Sequence, residues 1–277
     1  MALTSSIRVR TKESRSKRTV TPKWLLISAE IFVPILLIAW WWIASANSTN
    51  TFFPPLQVIV QRLIEAAATP IFWTNVGSSV GNLTLSFLLA CIIGILLGAA
   101  LGSSRLLSAF IEPTIHFFRA IPPVALVPIF VSIMGFGNET RILSITLSAL
   151  FPVLISTIDG IRGAEPTLNM VTKVYRIGPA DRLFRVSLPA ASPRILSGMQ
   201  VSLITAFVVM IASEMLGSSV GLGSWTLQAQ QSFMIADMWV GILVLGIIGY
   251  LSTALFVLFR RRVLRWYIAS QELEKNL

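Results

Sequence analysis

Long apolar stretches alternate with short polar segments along this chain of 277 residues. A helix of about 20 apolar residues crosses the roughly 30 Å hydrocarbon core of a bilayer. Six stretches reach or approach that length, so we predict an all-α, polytopic membrane protein with six transmembrane helices. The predicted spans are residues 24–44, 83–101, a segment that ends near residue 136, and residues 142–158, 195–215 and 239–259.

The distribution of basic residues predicts the orientation of these spans. Nineteen of the 22 lysines and arginines fall on one side of them, including both chain termini. Short loops rich in Lys and Arg stay in the cytoplasm, so we predict that the N-terminus and the C-terminus are both cytoplasmic. Arg62 and Arg141 fall on the outer side, and Arg119 falls within a span.

The composition agrees with a membrane protein. The chain is 55% hydrophobic and 12% charged, with a mean hydropathy of +0.77, whereas soluble domains carry about 25% charged residues. Its net charge of +10 is spread over tails and loops beside apolar spans. The expected partner of this charge is therefore anionic membrane lipid rather than nucleic acid. The lone cysteine, Cys91, provides no disulfide framework and no thiol metal site.

These boundaries divide the chain into three parts. Residues 1–23 form a basic cytoplasmic tail, residues 24–265 a transmembrane domain, and residues 266–277 a second cytoplasmic tail. The basic start, the apolar run and the small residues 44–46 also resemble a secretory signal with its cleavage site. The apolar run is longer than that of such signals, which favours a retained span.

Glycine and proline mark two special places in the spans. Gly94 and Gly98 form a small-xxx-small face, which is typical of close helix contact in membranes. Prolines at 122, 123 and 128 interrupt the third apolar region and predict a cytoplasmic-side helix, a break at Ile121, and then the span. We expect Pro122, Pro123 and Pro128 to act as a hinge.

A basic loop, residues 163–193, separates the fourth and fifth spans and is predicted to form a helical hairpin. Pro166 begins the first helix, Leu168, Val171 and Tyr175 share one face of it, and Gly178 with Pro179 ends it. The second helix, residues 180–188, has Leu183, Phe184 and Leu188 on one side and Arg185 on the other, and ends at Leu188-Pro189. This hairpin suits docking into a protein groove; the alternative is a hairpin lying in the lipid headgroups.

Ionisable residues at membrane depth are costly and usually face a cavity or a partner. Arg119 and Glu214 are therefore candidates to line a translocation path, with weaker candidates at Gln200, Met210 and Ser213. The alternative roles are structural. Glu214 would then lie at the outer interface, and Arg119 would cap the broken helix or pair with Glu112.

The chain has no glycine-rich loop followed by Lys-Ser/Thr, so any nucleotide must be bound by another subunit. We also find no Ser/His/Asp set and no metal-ligand cluster, and the one histidine, His116, is read as a packed polar residue. These absences predict a chain without enzymatic activity, cofactor or metal. A transporter driven by an ion gradient is the rival, but the internal repeats typical of that class are not apparent.

Several segments resemble the permeases of bacterial ABC importers. Residues 183–189 resemble the end of the coupling motif, residues 119–128 the proline-rich block, and residues 212–223 the block after the fifth span. The resemblance covers about residues 55–265. It is strongest to the branch for sulfonates, taurine, nitrate and bicarbonate, which also has members for aromatic acids, thiamine precursors and riboflavin.

This resemblance implies a multi-pass protein of the bacterial cytoplasmic (inner) membrane that works as a homodimer. It also implies two partner ATPase subunits, which hold ATP and Mg, and an extracytoplasmic solute-binding protein. The loop would couple to the ATPase through Leu168, Val171, Tyr175, Gly178, Leu183, Phe184, Arg185, Leu188 and Pro189.

The chain departs from the family pattern within this loop. The Glu-Ala-Ala of the coupling motif falls on residues 170–172, which are Met-Val-Thr here. Its glycine falls on Arg176, with Gly178 two residues later. The ATPase that binds this loop is therefore expected to have an altered groove.

Overall fold

The computed structural model describes residues 23–163, 166–267 and 269, and within this part the chain is all-helical. Most of the two predicted cytoplasmic tails lies outside the described residues. A 3-10 turn, Pro123–Ala125, precedes α5, and a π-helical segment, Arg182–Ser187, joins α8 to α9. The helices are α1 Lys23–Ser45, α2 Leu56–Ala67, α3 Pro70–Ser103, α4 Arg105–Ala120, α5 Leu126–Met134, α6 Asn138–Arg162, α7 Pro166–Val174, α8 Pro179–Asp181, α9 Leu188–Gly217, α10 Leu222–Gln231 and α11 Ile235–Val263.

Four described helical stretches are long and apolar enough to cross a membrane. They are α3, α6, the continuous stretch Pro179–Gly217 and α11. The four predicted spans in these regions each lie inside the observed helix. The helix α3 is longer than predicted because it starts at Pro70, where the Thr69 hydroxyl accepts a hydrogen bond from the Phe72 N–H at 3.4 Å.

The break in the third apolar region lies where the prolines predicted it. The helix α4 ends at Ala120, and the helical segments on the two sides of the break meet at 80°. The predicted full span after the break is wrong, because α5 has only nine residues. Nine residues rise about 14 Å, which is less than half of the hydrocarbon core. Counting the bent pair as one, the described residues provide up to five spans.

Glycine residues, which have no side chain, allow the central helices of the bundle to pack in close contact. A Cβ atom added at Gly94 would lie 2.9 Å from the Val153 Cβ, and one added at Gly98 would lie 2.6 Å from the Thr157 Cβ. The predicted glycine face of α3 therefore packs directly on α6. Gly198 of α9 approaches the other side of α6 in the same way. Small residues allow this approach, which maximises van der Waals contact between helices in a membrane.

The bundle has two different ends. We call the end formed by residues 103–108, 159–194 and 259–265 the loop end, and the end formed by residues 45–72, 134–141 and 217–237 the cap end. Among described residues after 45, eleven lysines and arginines lie at the loop end and two at the cap end.

The amphipathic helix α2 is fixed to the cap end by a charge pair. The Arg62 guanidinium donates to both carboxylate oxygens of Asp237, at 2.7 and 3.2 Å. This pairing, with Glu65, raises the pKa of Arg62. Leu56, Ile59 and the pair with Asp237 thus hold α2 along the outer surface of α11.

We predict that Gly98→Val destabilises the bundle by about 1–3 kcal/mol, because the added side chain must enter the contact with Thr157. The measurement is the thermal unfolding midpoint of the purified protein in detergent. Gly81→Val on the same helix is the matched control, since nothing lies within 4 Å of a Cβ at Gly81. Equal midpoints for the two variants would contradict the close packing of α3 on α6.

Candidate coupling surface and translocation path

The first arm of the predicted hairpin is α7, which begins at Pro166 as expected. Its side chains project from the loop end: Tyr175 is 76% exposed, and Leu168 and Val171 are partly exposed. Among the described side chains of this helix, Thr172 is buried. The helix therefore has one buried polar position and presents apolar groups outward.

Two exposed residues on α7 were missed by the sequence analysis. Met170 is 65% exposed and Val174 is 78% exposed. They are four residues apart and so share a face of the helix, which is a signal that the sequence already contained. The most exposed apolar surface at the tip is formed by Met170, Val174 and Tyr175, and Leu168 and Val171 lie closer to the bundle.

The second arm does not end at Leu188-Pro189, and this prediction is wrong. The helical stretch continues unbroken from Pro179 to Gly217. The reason lies in the π-helical segment, where the Leu188 N–H donates to the Leu183 carbonyl, five residues back. Proline normally breaks a helix because its ring clashes with the carbonyl four residues earlier and its nitrogen has no hydrogen. A change to five-residue spacing just before Pro189 accommodates both effects.

The side chains of the second arm divide into inward and outward groups. Leu183 and Leu188 pack against a buried cluster that includes Ala99, Ile161 and Ile195. Phe184, by contrast, is 65% exposed. Arg185 is exposed as well, and its Nε donates to Asp181 at 3.2 Å. Only Phe184 and Arg185 of these four residues are therefore available to a partner at the tip.

The turn between the two arms is closed by a residue that is not glycine. Arg176 has a φ of +50°. Its N–H donates to the Lys173 carbonyl at 3.1 Å, and the Ile177 N–H donates to the Thr172 carbonyl at 2.9 Å. This is the Schellman arrangement, in which the left-handed position is usually glycine. A non-glycine residue there costs roughly 1–2 kcal/mol.

Gly178 does not take over the role of the missing glycine. Its φ is −60° and its ψ is 156°, an extended conformation that any residue adopts. The backbone turn therefore stays at the position where the coupling motif has its glycine, and Arg176 occupies it. The predicted end of the first helix at Gly178 and Pro179 is therefore wrong, because α7 ends at Val174 and its turn closes at Arg176.

A cavity of about 590 Å³ lies between the hairpin and the helices α3, α4 and α6. Its wall includes Arg182, Leu183 and the ion pair between Glu112 and Arg162. This ion pair connects α4 to the end of α6. Glu112 is therefore paired with Arg162, and the alternative pairing with Arg119 is absent.

Arg119 lies at the end of α4 and lines a smaller cavity, of about 150 Å³, beside the proline break. The same cavity is lined by Ser148 and Thr205, which lie halfway along α6 and α9. Neither a hydrogen bond nor an ion pair of the Arg119 side chain occurs in the part of the chain that the structure describes. The exposed Arg119 side chain thus lies at mid-depth along the bundle, on the wall of a cavity.

Glu214 lies in a different environment, near the cap end of α9. Its side chain is fully buried. The Ser79 hydroxyl lies 2.8 and 2.9 Å from its two carboxylate oxygens, and the Gly223 N–H donates to Oε2 at 2.9 Å. The carboxylate thus connects α3 to the start of α10.

The neighbours of Glu214 extend this network to the loop between α9 and α10. The Ser79 hydroxyl oxygen also accepts the Leu222 N–H at 2.9 Å, and the Asn75 side chain accepts the Gly221 N–H at 2.8 Å. Gly221 has a φ of +128°, and a Cβ atom there would lie 2.4 Å from the Glu214 Cδ. Only glycine fits, because both the backbone angle and the available space exclude a side chain.

The three weaker path candidates are all engaged within the chain. Gln200 accepts a hydrogen bond from Arg260 at 2.6 Å. Met210 is part of the buried core, and the Ser213 hydroxyl donates to the Met210 carbonyl at 2.9 Å. No group of three or more potential metal ligands is found among the described residues.

The apolar helices form a bundle with a polar break at mid-depth and a hairpin exposed at one end. This is the layout of a membrane transport subunit. Residues 90–267 match the family described as the inner membrane component of binding-protein-dependent transport systems. The chain belongs to this family of inner-membrane permeases, which confirms the resemblance seen in the sequence.

Individual relatives carry names for anionic solutes. The chain is 31% identical to the putative aliphatic sulfonates transport permease protein SsuC of Bacillus subtilis, over 85% of this chain and 86% of that one. It is 28% identical to the taurine transport system permease protein TauC of Escherichia coli, over 84% and 87%. It is also 28% identical to the bicarbonate transport system permease protein CmpB of Synechococcus elongatus, over 92% and 97%.

The fold is also similar to that of a solved structure. A chain from a structure of inward-facing conformations of the MetNI methionine ABC transporter superposes with a TM-score of 0.62. The match covers 71% of this chain and 99% of that chain, at 20% identity.

We predict that Ser79→Ala destabilises the protein by about 1–3 kcal/mol, because it leaves the buried Leu222 N–H without an acceptor and removes a donor from Glu214. The measurement is again the unfolding midpoint in detergent. Ser78→Ala, one residue away and half-buried, is the control and is expected to leave the midpoint unchanged. If the two variants unfold at the same temperature, the network does not stabilise the cap end.

Proposed function

We propose that this chain is the permease subunit of an ATP-driven importer, in which two copies pair around a central path. Six spans cross the membrane, of which α1 is the first and the bent pair of α4 and α5 is the third, and both termini lie in the cytoplasm. The loop end then faces the cytosol and the cap end faces the solute-binding protein. The concentration of lysine and arginine at the loop end supports this orientation.

Energy enters through the hairpin. Each copy docks its tip, formed by Met170, Val174, Tyr175 and Phe184, into a separate subunit that binds ATP and Mg. The observation that carries this proposal is the exposure of these four apolar side chains on a basic, cytosol-facing tip. A hairpin covered by lipid headgroups is the alternative, but it would place the most exposed apolar groups in water or among polar headgroups.

The solute is proposed to be a small organic anion or oxyanion, such as a sulfonate, taurine, nitrate or bicarbonate. The names of the relatives favour this class over aromatic acids, thiamine precursors and riboflavin. They also favour it over a transporter driven by an ion gradient. Arg119 supports the same class, since a cation without a partner beside a cavity suits an anion in a path of low polarity.

The candidate path residues make different contacts, and we propose a different role for each group. Arg119 is proposed to contact the solute directly. Glu214 acts on the cap end of the path through the loop that it holds, Gln200 acts through its hydrogen bond with Arg260, and Met210 and Ser213 act through their contacts within α9. Pro122, Pro123 and Pro128 shape the break that leaves Arg119 at mid-depth.

Phe184→Asp is expected to abolish recovery of the ATPase subunit with the permease, because a buried Phe side chain contributes about 2–3 kcal/mol and a charge in the groove adds to the loss. The measurement is copurification from membranes that contain both subunits, with vanadate-sensitive uptake as a second readout. Phe184→Leu keeps an apolar side chain and is expected to retain most of the binding. Unchanged recovery of the ATPase with the Asp variant would contradict docking through this tip.

Arg119→Gln is expected to lower uptake of an anionic solute by about tenfold or more, since a charge-assisted hydrogen bond is worth roughly 1.5–3 kcal/mol. Uptake of labelled taurine, sulfonate, nitrate and bicarbonate into proteoliposomes with the ATPase and the binding protein is the measurement. Arg119→Lys retains the charge and should retain part of the uptake. Normal uptake of every anion by the Gln variant would remove Arg119 from the path.

A further inference from the structure

The two described non-glycine residues with a positive φ both lie on the exposed surface, at opposite ends of the bundle. Arg176 closes the turn of the coupling hairpin, and Phe233, with a φ of +57°, follows α10 at the cap end. Both close Schellman turns, in which glycine is the less strained residue. Glycine at position 176 would therefore favour the folded hairpin, yet the chain has arginine.

The structure offers no internal reason for arginine at this position. The Arg176 side chain is exposed, and within the described ranges its guanidinium has no hydrogen-bond or ion-pair partner. The next glycine, Gly178, lies in an ordinary extended conformation. Strained backbone positions cluster at functional sites, which makes Arg176 a candidate for a contact outside this chain.

The charges around Arg176 indicate what kind of group it meets. Between Pro166 and Leu188 the described hairpin carries four cations, Lys173, Arg176, Arg182 and Arg185, and one carboxylate, Asp181. That carboxylate is already paired with Arg185. Lys173 and Arg176 flank the exposed apolar side chains of Val174 and Tyr175. The complementary surface is an apolar groove with a carboxylate at its rim.

We propose that Arg176 pairs with an acidic side chain at the rim of the ATPase groove, and that this pair determines which ATPase subunit the permease accepts. The inference rests on the proposed docking of the hairpin into an ATPase. The coupling motif of the family has an acidic residue where this chain has Met170 and a glycine where it has Arg176. A groove suited to this hairpin is therefore acidic at its rim, and it discriminates against ATPases whose rim is basic.

The test measures binding of the purified cognate ATPase subunit to the full permease in detergent, together with the unfolding midpoint of the permease alone. Arg176→Gly is expected to raise that midpoint by about 2 °C or more, because strain is relieved. It is expected to weaken ATPase binding about tenfold at low salt, with a smaller difference at high salt. Arg176→Glu should weaken binding further, and Arg176→Lys should retain most of it.

Phe233→Gly is the matched control, because it relieves the same kind of strain at the opposite end. It is expected to raise the unfolding midpoint and leave ATPase binding unchanged. Replacing carboxylates at the groove of the ATPase by lysine, one at a time, is expected to identify one position that restores binding of the Arg176→Glu permease.

The outcomes separate this inference from the proposed function. If Phe184→Asp abolishes ATPase binding and Arg176→Gly binds like the unchanged protein, the hairpin docks but the charge pair does not exist. If Arg176→Gly lowers the unfolding midpoint, the arginine serves the fold and the inference is also wrong. If the unchanged permease binds no ATPase at all, the proposed function itself fails.

Discussion

The close contact of α3 with α6, and of α6 with α9, is the interaction on which the rest of this structure depends. Helices in lipid gain no hydrophobic free energy from associating with one another, so their stability comes from van der Waals contact and hydrogen bonds. Glycine supplies that contact here. With Gly94 and Gly98 facing Val153 and Thr157, the backbones of α3 and α6 come into close contact.

The second arm of the hairpin is continuous with α9, so the hairpin and the helical core share one helix. The helical stretch from Pro179 to Gly217 has 39 residues and a length of about 58 Å. Its first turns belong to the tip at the loop end, and its last turns carry Glu214 beneath the cap end. The tip and the cap end are therefore connected by one continuous helical stretch. Two packings of this helix against α6 would suffice for alternating access.

The sequence predicted those features that depend on local chemistry. Apolar length located the long helices, the adjacent prolines located the break after Ala120, and the spacing of Gly94 and Gly98 predicted a helix contact. Other features depend on distant groups. Asn75 and Ser79 of α3 accept N–H groups of the loop after α9, and this pairing is not visible in the hydropathy of either segment.

The site was less predictable than the fold, for the same reason. Leu188-Pro189 has the local pattern of a helix end, yet a π-helical turn carries the helix through it. Glu214 was a candidate path residue because it is ionisable and lies in an apolar stretch. Only the backbone N–H groups around it show that it holds the loop between α9 and α10. The left-handed turn at Arg176 is a property of the hairpin backbone, which the sequence of this chain obscures by replacing glycine.

The broken third region explains how a cation is tolerated at mid-depth. A charged group within a membrane span is unfavourable where it faces lipid. The break at Pro122 instead ends α4 at this point, where the C-terminal helix dipole favours a cation, and it opens a cavity against α6 and α9. The same break leaves backbone groups unpaired, and a path lined by protein and water satisfies them better than lipid does. The end of α4, the break and the cavity thus meet at the exposed Arg119 side chain.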